Sequence, residues 1–365
     1  MDGEIDLNQG IKGKYSKLKL AHHPEKLKSL IEGKVTPPIY VRIKPTNKCN
    51  HSCFYCVYEG DFSGMHDNMN KVDEIPREKM FELLDDFKDM GVKAVTYSGG
   101  GEPLMYPLIL EALQKTIDYN INLSMITNAQ LLFGKAAELL ANAHWVRVSI
   151  DSCDGETFSK IRRKPAQLFD QIKENMIKFV QIKDPNCTFQ INFVVHEYNY
   201  NKIYESAKFF KGIGVENIRF SPLWNPNMHK YHEPFKNKAI EEIRRAQSEL
   251  TSKGFEIGDS YERDFEVSGT FKRKFSKCYF MQIVPAIGAD QNVYFCHNKA
   301  YDNRGVLGSI KDKSFKELWF SQEAKDKFNN FDPRKSCWHQ CSNDEKNKLM
   351  GEMIAAGDPQ VVNFV

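Results

Sequence analysis

The sequence predicts an α/β fold: a parallel sheet of alternating strands and helices, followed by a smaller unit. Two observations carry this. Short β-branched runs recur from Pro38 onward, and the segments between them space their apolar residues as helices do. Strand–helix alternation of this kind favours parallel strands joined by right-handed crossovers.

The predicted strands are Ile39–Ile43, Ala94–Ser98, Asn122–Ile126, Val146–Ile150, Phe189–Val195 and Asn217–Ser221. The clearest helix places Met80, Leu83, Leu84 and Phe87 at i, i+3, i+4 and i+7, with Pro76 before it and Gly91 after it. Further helices are expected near 107–118, 134–143, 168–183 and 202–212. Residues 228–254 read as a polar helix leaving the sheet, with Ile240, Ile243, Ala246 and Leu250 on one face. The expected organisation is an N-terminal extension over 1–36, helical from Ser16 to Glu32, then a core over 37–227. A connector over 228–275, a small module over 276–350 and a tail over 351–365 complete it.

Composition narrows the classes of function. The 365 residues are 41% hydrophobic and carry a net charge of +3 with pI near 8.2. That balance argues against a nucleic-acid partner, which asks for a strongly basic face. No apolar run reaches the length of a membrane span, and the acidic start Met1-Asp-Gly-Glu lacks the features of a signal peptide. Nine cysteines without an export signal point to a cytoplasmic protein whose thiols serve metal or redox chemistry. Seven of the nine fall into two groups.

The first group is Cys49, Cys53 and Cys56, spaced C-x3-C-x2-C with Tyr55 before the last. Three thiolates are one fewer than a closed tetrahedral site takes. A cubane iron–sulfur cluster on three cysteines leaves one iron open; half of a zinc knuckle is the alternative reading. The motif resembles the signature of the radical S-adenosylmethionine (radical SAM) enzymes. The resemblance implies that the open iron takes the amino and carboxylate groups of S-adenosylmethionine. An electron, from an external donor of the flavodoxin or ferredoxin type, then yields methionine and a 5′-deoxyadenosyl radical that abstracts hydrogen from a substrate. It also implies a partial (β/α)6 TIM-like barrel with a small C-terminal auxiliary-cluster module. In such barrels chemistry sits at the carboxyl ends of the strands, and the three cysteines follow the first strand.

Further matches follow strand by strand. After the second strand comes Ser98-Gly99-Gly100-Gly101-Glu102-Pro103. Glycines let a ligand approach the backbone closely, and the resemblance assigns Gly100, Gly101 and Glu102 to the amino group of S-adenosylmethionine. Many relatives have glycine where Ala129 follows the third strand. Alternation puts Ser149 and Asp151 on one face at the end of the fourth strand, where the family binds ribose hydroxyls; Asp154 reads as a helix cap. Arg162 or Arg163 would pair with the methionine carboxylate through its fork of donors. Asn192 and Asn199 are further candidates.

The second group is Cys278, Cys296, Cys337 and Cys341, with Gly288 between the first two. A turn and strand over 289–295 could form a hairpin that joins Cys278 to Cys296. The order resembles the SPASM or twitch modules of many radical SAM enzymes, and four cysteines fit the shorter form with one auxiliary [4Fe–4S] cluster. Thiolate softness alone suits zinc equally. His297 and His339 read as polar neighbours. Cys153, just past Asp151, is a candidate hydrogen-atom donor, and Cys187 reads as a buried thiol.

The substrate is not encoded in these motifs. The single auxiliary site favours a small molecule such as a sugar or cyclitol, undergoing dehydrogenation, epimerisation or rearrangement. The preface is shorter than the leader-binding domain of many peptide-modifying members, which counts against a peptide. A non-catalytic metal or electron-transfer protein is the reading of another class. Tyr58, Glu59, His66, Arg219, Trp224 and His229 are placed near the substrate space.

Overall fold

The computed structural model describes residues 17–58, 68–268, 273–337, 341 and 343–356. Ten strands form one sheet: β1 (Tyr40–Ile43), β2 (Ala94–Tyr97), β3 (Asn122–Thr127), β4 (Trp145–Ser149), β5 (Thr188–Val195), β6 (Asn217–Pro222), β7 (Glu256–Asp259), β8 (Ala286–Ile287), β9 (Asn292–Tyr294) and β10 (Val306–Ser309). Their order is β10-β9-β8-β1-β2-β3-β4-β5-β6-β7. Strands β1 to β7 pair in sequence, all parallel, as crossover connections require.

Alternation sorts the two faces of these strands. Val41, Ile43, Val95, Val146, Val148, Phe189, Ile191, Ile218 and Phe220 are buried in one core cluster with helix residues Leu83, Phe87, Leu113, Phe179 and Phe210. Each such side chain contributes roughly 1.5–3 kcal/mol when fully buried. Most of the alternate positions are polar, Arg42, Thr96, Ser124, Arg147, Gln190, Asn192 and Arg219 among them, with Ile126, Trp145 and Val194 as apolar exceptions. They form the inner face, and a polar inner face makes the barrel a binding cavity rather than a second core.

Two expectations need correcting. The helix Lys236–Leu250 does not leave the barrel. Its apolar side, with Ala239, Ile243, Ala246 and Leu250, is buried, and the chain then returns as β7 beside β6. The connector is therefore a sixth crossover. The single helix expected from Ser16 to Glu32 is, where described, a 3-10 turn Lys17–His22 and an α-helix Pro24–Ile31, with proline in its first turn.

The small module is continuous with the barrel. Strand β8 pairs with β1 in parallel, and the β8–β9 hairpin turns at Gln291, whose φ is 62°. Phe315 meets Phe87 edge-on at 5.3 Å, and the Trp319 indole donates to the Thr36 carbonyl at 3.0 Å. Among the described residues no helix is long and apolar enough to cross a membrane.

Candidate active site

Strand β1 delivers the chain to the carboxyl end of the barrel, where the first cysteine group begins. The Ser52 and Phe54 amides donate to the carbonyls of Arg162 and Ile161, at 3.2 and 3.1 Å. These bonds strap the cysteine loop to the helix Gly155–Arg162. A tight turn from the Cys56 amide to the Cys53 carbonyl, 3.0 Å, sets the last two thiols. Burial pushes the Cys49 thiol up to about 12, and the charges of Glu102, Cys53 and Cys56 push the same way.

The glycine loop is wedged against the cysteine loop. The Gly101 and Glu102 amides donate to the carbonyls of Thr46 and Lys48, at 3.0 and 2.9 Å. A Cβ on Gly101 would lie 2.0 Å from the Lys48 carbonyl oxygen, and one on Gly100 would lie 2.1 Å from Asn47 Oδ1. Glycine is needed here for close approach. Glu102 turns its carboxylate to the Thr127 hydroxyl (2.6 Å) and to the Asn128 and Leu104 amides (2.7 and 3.1 Å). Burial raises its pKa to about 7, against these hydrogen bonds.

Asp151 departs from its expected place at a ribose. One carboxylate oxygen accepts from Arg162 Nη2 at 2.7 Å and from the Tyr55 hydroxyl, and the other from the Val194 amide at 2.8 Å. Its partners come from three different elements, so it positions them. Ser149 remains on the inner face, its carbonyl accepting from Arg162 Nη2 at 2.9 Å. Of the two arginines, Arg162 is the one turned inward, its Nη1 3.0 Å from Cys53 Sγ. Arg163 is exposed and takes the left-handed conformation that ends its helix. Asn199 is buried, tying the Asp151 and Val194 carbonyls together, whereas Asn192 lies on the inner face. Asp154 caps the helix Gly155–Arg162 as expected.

Cys153 does not face the barrel mouth. It senses the charges of Asp154, Glu205 and Lys202, which places it beside the helix Ile203–Ile213. The hydrogen-donor reading has no support there. Cys187 is buried. Ala129 holds φ 63°, which explains why glycine suits this position.

The four later cysteines come together as a group. Cys296 senses the charges of Cys341, Cys278 and Cys337, and burial pushes Cys278 up to about 12. Arg273 donates to the carbonyls of Pro333 and Cys337 and pairs with Asp344, whose carboxylate accepts the Cys341 amide at 2.9 Å. Among the described residues, no three His, Cys, Asp or Glu side chains close on one point as a single ion needs. A cubane binds each cysteine through a different iron, so its ligands need not do so. Both all-cysteine groups fit iron–sulfur clusters by donor type.

Several residues here were not singled out from sequence. Lys44, 3% exposed, donates to the Gly99 carbonyl and to the Tyr58 hydroxyl (2.8 Å), and burial lowers its pKa to about 7. Strand alternation places it on the inner face, the one signal available. Asn128, Asn50, Gln130 and His51 form a chain of hydrogen bonds under the cysteine loop. Arg219 lies on the inner face, Trp224 is half-buried, and His229 is exposed against Phe265. Glu59, His66 and His339 lie outside the described residues, and His297 begins the turn that follows Cys296.

Comparison with known proteins agrees with this geometry. The family model "Radical SAM superfamily" matches residues 43–210. The chain carries a radical SAM domain there. A second model, the SPASM "Iron-sulfur cluster-binding domain", matches residues 278–343. This radical SAM chain is therefore an enzyme; its first domain implies a [4Fe–4S] cluster and S-adenosylmethionine, and its second implies additional iron–sulfur clusters.

A probable GTP 3′,8-cyclase of Methanocaldococcus jannaschii is 31% identical over 188 residues, 50% of this chain and 59% of the relative. The GTP 3′,8-cyclase of Aliarcobacter butzleri is 33% identical over 144 residues, 37% and 41% of the two chains. The chain thus spans about half the length of the curated relatives it matches. Among solved structures, Streptococcus suis SuiB bound to S-adenosylmethionine aligns with TM-score 0.60 at 17% identity, covering 84% of this chain and 69% of that one. The enzyme anSMEcpe with bound AdoMet aligns with TM-score 0.59 at 19% identity, covering 90% and 95%. At these identities the likeness concerns the fold.

Proposed function

We propose that this radical SAM enzyme acts on a small molecule, by dehydrogenation, epimerisation or rearrangement, with its primary cluster on Cys49, Cys53 and Cys56. The observation that carries the reading is the union of two loops. The three thiols and the Gly99–Glu102 turn interlock through backbone hydrogen bonds at the carboxyl end of the barrel. When bound, the cluster and S-adenosylmethionine supply a hydrogen-abstracting 5′-deoxyadenosyl radical. The backbone of Gly100 and Gly101 leaves room for the amino acid end of that cosubstrate. Glu102, held by three donors, has lone-pair capacity left for an ammonium group. Ser149 presents its hydroxyl to the inner face on the row that the ribose would share. Arg162 supplies positive charge beside Cys53 and fixes Asp151 and Tyr55 behind it.

Cys278, Cys296, Cys337 and Cys341 would hold an auxiliary [4Fe–4S] cluster in the module of residues 276–350. The barrel core would extend beyond 37–227 to include β7. An external flavodoxin- or ferredoxin-type reductant would work with it in the cytoplasm. The similarity to GTP 3′,8-cyclases, which act on a nucleotide, supports a small metabolite over a peptide. The test is deuterium transfer. Holoenzyme reduced with S-adenosylmethionine is offered perdeuterated metabolite extracts and perdeuterated peptide digests. Deuterium in 5′-deoxyadenosine from the metabolite pool alone is expected; deuterium from the peptides alone overturns the small-molecule reading.

A further inference from the structure

The inner face of the barrel is cationic. Arg42 on β1, Arg147 on β4 and Arg219 on β6 occupy the alternate positions that do not join the helix-facing core. All three are half-buried. Each makes a hydrogen bond there: Arg42 Nε lies 3.0 Å from the Tyr40 hydroxyl, Arg147 Nη2 lies 3.1 Å from Gln190 Oε1, and Arg219 Nε lies 2.6 Å from Ser260 Oγ. A fourth cation, Lys346 of the helix Asp344–Ala356, lies near enough to Arg219, Arg42 and Lys19 for their charges to lower its pKa, after burial. The chain as a whole carries only +3, so this concentration is local. Like charges on one concave, partly desolvated face repel, and they focus an anion's field there.

The register links this cluster to the place proposed for the cosubstrate. Ser149 pairs with Asn192, and Asn192 pairs with Arg219, forming one row across β4, β5 and β6. A molecule whose reacting carbon lies beside Ser149 would reach Arg219 along that row. Guanidinium forks match the paired oxygens of phosphate and carboxylate groups.

We propose that the substrate carries an oxyanion, phosphate or carboxylate, and that Arg42, Arg147 and Arg219 bind it inside the barrel and act as its specificity determinants. The inference deepens the proposed function and rests on the radical chemistry taking place in this same barrel. It requires no covalent step.

Binding to the holoenzyme, saturated with S-adenosylmethionine and without reductant, tests it by calorimetry. Inorganic pyrophosphate and succinate are the two anionic probes, and inositol is the neutral control. Saturable binding of at least one anion is expected, and which one binds identifies the phosphate or the carboxylate. R42Q, R147Q and R219Q should each weaken it tenfold or more, while R219K retains part and K253Q, at an exposed turn, retains all. Circular dichroism of every variant separates lost binding from lost fold, and the lysine variant keeps the comparison intact should a glutamine variant unfold. Failure of both anions to bind, or binding indifferent to all the arginine changes, overturns the proposal. If that failure occurs in an enzyme that still cleaves S-adenosylmethionine, the radical reading stands alone. Anion binding without such cleavage would leave the oxyanion site and remove the radical reading.

Discussion

Arg162 and Asp151 form an ion pair at 2.7 Å with side chains only 5% and 1% exposed. Burying two charges is costly, and removing one partner strands the other. Arg162→Ala should therefore destabilise the full chain by about 3–5 kcal/mol in chemical denaturation. Arg162→Gln combined with Asp151→Asn should cost less than Arg162→Gln alone. A double variant that costs the sum of the two singles would show that the pair is not coupled.

Gly101 tests the wedge between the two loops. Its φ is not positive, so alanine carries no left-handed penalty there, but its Cβ would meet the Lys48 carbonyl and the Asn47 backbone. Gly101→Ala should push the cysteine loop outward, at a cost of about 1–3 kcal/mol. Anaerobically reconstituted protein should then hold about four fewer irons per chain. Full iron loading would show that the loop tolerates the added methyl.

The pH dependence of stability should carry the mark of Glu102. Burial raises its pKa from the ordinary 4.5 to about 7, so the folded chain holds this proton more tightly than the unfolded chain does. Stability from this group is present below about pH 4.5 and is lost as the pH climbs through 7, with an upper limit of roughly 3 kcal/mol. Glu102→Gln should flatten that slope in thermal melts taken without S-adenosylmethionine. An unchanged slope would assign the titration elsewhere.

The auxiliary site should be separable from the primary one. Arg273, its side chain 2% exposed, braces the Cys337–Cys341 loop together with Asp344. Arg273→Ala should lower iron content by about one cubane, yet leave cleavage of S-adenosylmethionine without substrate intact. Loss of that cleavage in a folded variant would mean that the two sites are not independent.

Much of this was legible in the chain itself. Cysteine and glycine spacings are local, and the strand and helix periods of the first six units survive folding unchanged. What escaped reading depends on distant contacts. Asp151 accepts a proton donor 96 residues away, at Tyr55, and no local pattern announces that. Strand β7 is Glu-Ile-Gly-Asp, too polar to read as a strand, and exists because β6 offers an open edge. Cys153 lies two residues past Asp151, yet it faces the helix layer. Lys44 looks like an ordinary strand-end lysine until Tyr58 and Gly99 close over it.

The most direct measurement is cleavage of S-adenosylmethionine by the anaerobically reconstituted, reduced enzyme in the absence of substrate. The account predicts methionine and 5′-deoxyadenosine in equal amounts, abolished in the Cys49→Ala, Cys53→Ala, Cys56→Ala variant although its four later cysteines still hold iron. Equal cleavage by that variant, or none by the intact, iron-loaded enzyme, would contradict it.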